Sequence, residues 1–284
     1  MKTLGGHRCA DLQWCMVHKL RHQSDVTSVR EGDPNFSGTL AKGLMILQAF
    51  SREPRPYANS ELAAMLGLSR PTVSRLCRTL LALGYLERDA RADRYLMGPA
   101  AVALGYPYIV SIDLRAQARP AMQALANDVR GAVSIGVVLG LDVVYVETCA
   151  WQRGTLARPD VGAVRGVAEM AMGRAWLFTL DAAKRAEVLR QIETQRPDEM
   201  TRCASGIDES LATQARLGFA VNYGDAFHGE YGVAVCSRIQ HGSRSLIFNC
   251  AISPSRTEPD ELRNTIGPRL VEMVQRCERA TRLR

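Results

Sequence analysis

Long apolar runs are missing from this sequence. A bilayer-spanning helix needs about 20 apolar residues in a row. The nearest approach, Gly131 to Leu141, is short, carries glycines and stops at Asp142. The opening MKTLGGHRCADLQWCMVHKL has no continuous apolar core, so it does not read as a secretory signal. These absences exclude a membrane span and favour a cytoplasmic location. Histidine is scarce too: of five, only His228 and His241 follow residue 22. No GxSxG, Walker loop, GxGxxG or HExxH occurs. The carboxylates show no paired spacing of the kind acid–base catalysis uses. The chain is therefore expected not to be an enzyme and to carry no cofactor.

Eight cysteines are present, at positions 9, 15, 77, 149, 203, 236, 250 and 277, without a CxxC pair. Several lie in apolar runs, so reduced, buried thiols are expected. Two sharper alternatives exist. His7, Cys9, Cys15, His18 and His22 have spacings a zinc ion could use, but no fold signal surrounds them, and a flexible tail without metal is preferred. A Cys236–His228 dyad, or a reactive Cys236 or Cys250, would instead make the chain a DNA-binding redox sensor or an enzyme-like protein.

Charge is present and uneven. Residues 1–98 hold 14 Lys+Arg against 9 Asp+Glu, a net +5, while the rest of the chain contributes the remaining +2 of a total +7. A basic N-terminal third suggests a polyanion partner at that end. Residues 1–36 end in the turn-rich EGDPNFSG and read as a flexible leader. In SGTLAKGLMILQAFSRE, Leu40, Leu44, Leu47 and Phe50 recur at helical spacing. SELAAMLGL is a short second helix, with Ser60 as cap and Gly67 ending it. Ser69 caps a third helix, Pro71 occupies its first turn, and Gly84 stops it.

The third helix has two faces. Val73, Leu76, Leu80 and Leu83 are apolar, whereas Arg70, Thr72, Ser74, Arg75 and Arg78 present cations and hydroxyls. Two short β-like runs, Tyr85–Arg88 and Arg94–Met97, follow around a charged turn. Helix, helix, tight turn, helix and hairpin make a winged helix-turn-helix over residues 37–98. Its third helix suits the major groove of double-stranded DNA, where arginine reads guanine and hydroxyls reach phosphates or base edges. Arg91 and Arg94 in the wing would meet the DNA backbone or a minor groove.

Residues 99–117 read as a helical linker, interrupted at Pro107, with apolar stripes suited to dimerisation. From residue 118 to 284 strands and helices mix. VSIGVVLGLDVVYVETC is a hairpin about Gly140–Asp142, three strand-like runs follow a helix closed by Gly218, and Thr257 would cap a terminal helix. This is an α+β pattern, expected as a sheet covered on one side.

The winged helix-turn-helix, the connector DLRAQARPAMQALA, and VVYVE, AMGRAWL and RLGFAV together resemble the IclR-type family of bacterial transcriptional regulators, over residues 38 to about 275. The resemblance implies a C-terminal α/β effector-binding domain of GAF-like type, a homodimer or dimer of dimers, and control of a catabolic operon. It implies a pocket for a small organic acid beside Ala171, Met172, Gly173 and Arg174, where the family usually has Gly-Lys. The opposite wall would be Asn222, Gly232, Cys250 and Ile252. A small hydroxyl residue is common in the family at the last two positions. Cysteine and isoleucine there argue for a more apolar, aromatic acid.

Overall fold

The computed structural model describes residues 35–152, 160–225 and 230–282. The chain divides into two compact units, Met1–Pro107 and Tyr108–Arg284. The candidate zinc cluster in the leader lies outside the described residues.

In the first unit, helix α1 (Gly38–Arg52) is capped by the Ser37 hydroxyl, which accepts the Leu40 N–H. Its buried stripe is Met45, Ile46, Ala49 and Phe50, not the Leu40/Leu44 stripe expected from spacing; those two leucines are exposed. Helix α2 (Asn59–Leu66) begins one residue before Ser60, and the Glu61 carboxylate accepts the Ala58 N–H at 2.7 Å in place of a hydroxyl cap. Gly67 ends the helix in the left-handed region, φ 63°. Helix α3 (Arg70–Ala82) starts on Ser69, whose hydroxyl accepts the Thr72 N–H. Val73, Leu76, Cys77 and Leu80 are its buried face, and Leu83, just beyond it, is exposed. Strands β1 (Leu86–Arg88) and β2 (Tyr95–Met97) pair antiparallel as the wing.

Helix α4 (Ala100–Val110) continues through Pro107, where an interruption was expected, and buries none of its residues. Helix α5 (Asp113–Asp128) belongs to the second unit from its first turn, since Leu114 is already in that core. The expected linker therefore does not run to residue 117.

The second unit is built on a six-stranded antiparallel sheet in the order β5-β4-β3-β8-β7-β6. Its strands are β3 (Ala132–Leu139), β4 (Asp142–Ala150), β5 (Val164–Gly166), β6 (Ala220–Tyr223), β7 (Tyr231–His241) and β8 (Arg244–Ile252). Helices α6 (Ala171–Thr179), α7 (Ala182–Gln195) and α8 (Pro197–Leu217) intervene, and Gly218 ends α8 at φ 82°. A short helix at Pro259–Glu261 and a π turn at Leu262–Ile266 lead into α9 (Gly267–Arg282). Thr257 does not cap this segment; its hydroxyl donates to Glu261.

Both faces of the sheet are covered, correcting the one-sided expectation. One core joins α5 and α9 to Val133, Ile135, Phe248 and Cys250. The other joins α6 to Tyr145, Ala234 and Ile247. Seven successive residues of β3 are buried, the pattern of a strand packed on both faces.

Candidate functional sites in the two units

The first site is the outer face of α3. Arg70, Ser74, Arg75 and Arg78 are exposed there, while Thr72 is half-buried with its hydroxyl 2.8 Å from that of Ser69. Four cationic or hydroxyl side chains on one open helix face can meet phosphates and base edges together. The wing differs from expectation. Arg91 is exposed at its tip, but Arg94 turns back to the body: it donates to Glu61 at 2.8 Å and to the Pro56 carbonyl at 3.2 Å. Burial acts against ionisation of Glu61, yet the Ala58 N–H together with Arg55 and Arg94 hold its carboxyl below the usual range. Arg94 is thus engaged in fixing the start of α2.

The second site lies where α6 meets the sheet. The first N–H groups of α6 belong to Ala171, Met172 and Gly173, and no side chain caps them. Such groups favour an anion. Helix α6 packs directly on the sheet: a Cβ built on Gly232 would lie 3.6 Å from the Ala171 Cβ, and the Met172 sulfur sits over Gly136. Gly173 lets the helix approach, since a Cβ there would fall 2.0 Å from the Val167 carbonyl oxygen. Asn222 pairs with Gly232 across β6–β7, shares its face, and donates to the Glu169 carbonyl at 2.7 Å.

Three expected residues do not join this group. Arg174 is 1% exposed, and its guanidinium donates to the carbonyls of Ala168, Gly206 and Val221 and to the Asp225 carboxylate. Those four hydrogen bonds tie the side chain into the fold, and its backbone N–H donates to the Met170 carbonyl. Cys250 and Ile252 point to the opposite face, into the α5–α9 core. In a strand, moving one residue moves a side chain to the other face. The positions on the α6 face are Asn249 and Ala251, which pair with Ala234 and Gly232 of β7. Asn249 also opposes Ser134, whose hydroxyl is 3.0 Å from that of Thr148, giving a polar row across three strands. The one clue in the sequence was Asn249 itself, a lone amide inside the apolar run LIFNCAI.

Among the described residues the thiols do not have a reactive environment. Burial pushes Cys236 and Cys250 up to about 12 and Cys77 and Cys203 up to about 11. A nucleophilic cysteine needs the opposite shift. His228, the imagined partner of Cys236, lies outside the described residues. Among the described residues no cluster of His, Cys, Asp and Glu could hold a metal ion, and no helix is long and apolar enough to cross a membrane.

Comparison with known proteins decides what this pair of sites belongs to. The profile of the IclR helix-turn-helix domain matches residues 39–90, and that of the bacterial transcriptional regulator IclR C-terminal domain matches residues 106–280. The chain belongs to the IclR family. It is a DNA-binding transcriptional regulator. The transcriptional regulator TsaQ1/TsaQ2 of Comamonas testosteroni is 31% identical over 259 residues, covering 89% of this chain and 92% of that protein. The Pca regulon regulatory protein of Pseudomonas putida is 29% identical over 159 residues, covering 56% and 54%. The crystal structure of an IclR-family regulator from Brucella abortus superposes with a TM-score of 0.79 at 31% identity, over 89% of this chain and 95% of that one. An IclR homologue from Microbacterium hydrocarbonoxydans, crystallised with 4-hydroxybenzoate, shares the fold, with a TM-score of 0.65 at 19% identity over 87% and 100% of the chains.

Proposed function

We propose that this IclR-family regulator senses a small organic acid in its second unit, and that the acid changes the affinity of a dimer for operator DNA. The observation that carries the reading is the uncapped start of α6, seated on a floor of small residues around Gly232. The carboxylate would lie at the N–H groups of Ala171, Met172 and Gly173, with the rest of the molecule toward Asn222 and Gly232. Arg70, Ser74, Arg75 and Arg78 would enter the major groove and Arg91 would meet the DNA backbone. The acid can shift operator affinity only as far as it prefers one arrangement of the paired DNA-binding units.

Dimerisation through α4 is supported by its exposed apolar side chains. Val102 is 77%, Leu104 61% and Tyr106 65% exposed, and Leu40 and Leu44 of α1 are uncovered as well. Ala101 and Leu104 share an apolar groove with Leu44, Leu47, Tyr85 and Met97. A second copy of the chain would bury these surfaces, which a lone subunit leaves in water.

The test is a thermal-shift screen of the full-length protein against small carboxylates, followed by operator titration with each stabilising compound. A ligand of the native state raises the melting temperature. A stabilising acid should change operator affinity in wild type and not in Gly232→Phe, whose ring would fill the floor. An unaltered response in folded Gly232→Phe would move the pocket elsewhere.

A further inference from the structure

Asparagine is favoured at helix caps, but Asn59 does not cap α2. The cap position is Ala58, whose N–H is taken by Glu61, and Asn59 is the first residue of the helix. The spacing 59, 62, 63, 66 places it at the N-terminal end of the stripe formed by the buried Leu62, Ala63 and Leu66. That stripe packs in the same core as Val73, Leu76, Cys77 and Leu80 of α3. The Asn59 amide meets the first turn of α3. In the orientation that satisfies both partners, it donates to the Arg70 carbonyl at 3.3 Å and accepts the Ser74 N–H at 3.1 Å. Those groups belong to residues four apart, the separation of one helical hydrogen-bond pair. One amide thus brackets the turn that carries Arg70, Thr72 and Ser74.

The same residue stands beside the connection to the wing. Two positions before it, Tyr57 forms an antiparallel bridge with Tyr95 of β2. The Tyr57 N–H donates to the Tyr95 carbonyl at 3.0 Å, and the Tyr95 N–H donates to the Tyr57 carbonyl at 2.7 Å. Two positions after it, Glu61 holds Arg94. The start of α2 is therefore stitched to the wing on both sides of Asn59, and Asn59 carries that connection on to α3. Apolar packing of one helix on another is non-directional, whereas a hydrogen bond sets direction as well as distance.

We infer that Asn59 is a positioning residue that fixes the rotation of α3 relative to the wing, so that base-reading side chains and Arg91 engage one duplex together. Base-edge hydrogen bonds weaken steeply when misaligned, while phosphate contacts carry no sequence information. Loss of the Asn59 amide therefore lowers discrimination between sequences more than it lowers affinity for DNA in general. This inference rests on the reading of α3 as the helix that enters the major groove.

The experiment uses full-length protein and two duplexes, one selected by wild type from a random-sequence pool and the other its shuffled counterpart, titrated over a range of salt. Asn59→Leu keeps the shape of the side chain and loses both hydrogen bonds. It should lower the preference for the selected duplex at least about tenfold, the scale of one misplaced base contact. Affinity for the shuffled duplex should stay within about twofold of wild type, with the salt slope unchanged. A preserved preference would overturn the inference. So would equal weakening on both duplexes, which would make Asn59 a general structural or phosphate-contacting residue. Should Asn59→Leu not fold, Asn59→Ser, whose hydroxyl is too short to span both partners, takes the same comparison with the same expected direction. A variant with Arg70, Arg75 and Arg78 all replaced by alanine separates the two readings. If it loses the preference while Asn59→Leu keeps it, the inference alone falls. If it too keeps the preference, the groove-entering role of α3 falls as well.

Discussion

Arg174→Met separates a structural arginine from a ligand-binding one. The side chain joins α6 to the segment before it, to α8 through Gly206 and to β6 through Val221, and closes on Asp225. Methionine fills a similar volume but leaves three carbonyls and a carboxylate short of a donor. Breaking a buried ion pair from one side costs about 3–5 kcal/mol. Asp225 keeps 21% exposure, so water recovers part of this and the lower end is expected. For a unit of this size each kcal/mol moves the melting temperature by about 2–4 °C, giving a drop of about 6–12 °C. Arg174→Lys retains the charge near Asp225 but not the planar fork, and should fall between the two. The assay is urea and thermal unfolding followed by tryptophan fluorescence, since Trp151 and Trp176 both lie in the second unit. A melting temperature within about 2 °C of wild type, with effector response abolished, would refute the argument and return Arg174 to the ligand site.

Arg75→Ala should cost about 1–3 kcal/mol at the operator and relax base preference there, as read by competition with random DNA; equal weakening of both would show that Arg75 does not read bases. Arg91→Ala should lower the salt slope of DNA binding by about 1, whereas Arg94→Ala, its side chain engaged by Glu61, should leave the slope unchanged. Leu104→Glu should shift the sedimentation of the protein toward monomer and weaken operator binding; an unchanged dimer would move the interface away from α4. Stability should fall as pH rises above about 9, because burial raises Cys77, Cys203, Cys236 and Cys250 from 9.0 to about 11–12 in the native state, so unfolded thiols ionise first. Urea midpoints at pH 7.5 and pH 10 check this, and identical midpoints would contradict it.

What the sequence revealed was what neighbours in the chain decide. Ser69 and Pro71 start α3, Gly67 and Gly218 end helices in the left-handed region, and Gly140 turns the β3–β4 hairpin; each signal acts within four residues. What it concealed depended on distant partners. Arg94 is claimed by Glu61, 33 residues away, and Arg174 chiefly by Gly206, Val221 and Asp225, 32 to 51 residues away, so both looked like unengaged cations. The wall of the second site was misread for another reason. Its far side was expected from the family likeness and not from the strand itself: β8 carries one amide, Asn249, in a largely apolar run, and it turns Asn249 and Ala251 toward α6 and Cys250 and Ile252 toward α5 and α9. The buried stripe of α1 was hidden among leucines on adjoining stripes.

Strand β8 also bears on how a bound molecule could be felt elsewhere. Asn249 and Ala251 form part of the surface beneath α6, while Phe248, Cys250 and Ile252, their immediate neighbours, are the ceiling over α5 and α9. The partition between the surface beneath α6 and that second core is a single strand thick. Protein interiors are close-packed and resist compression. A molecule that presses on this partition therefore presses on the core holding Leu114, the second residue of α5, just beyond the end of the exposed apolar helix α4. No hinge or moving lid would be needed to carry strain that far: the strand that faces α6 is already the wall of the room next door.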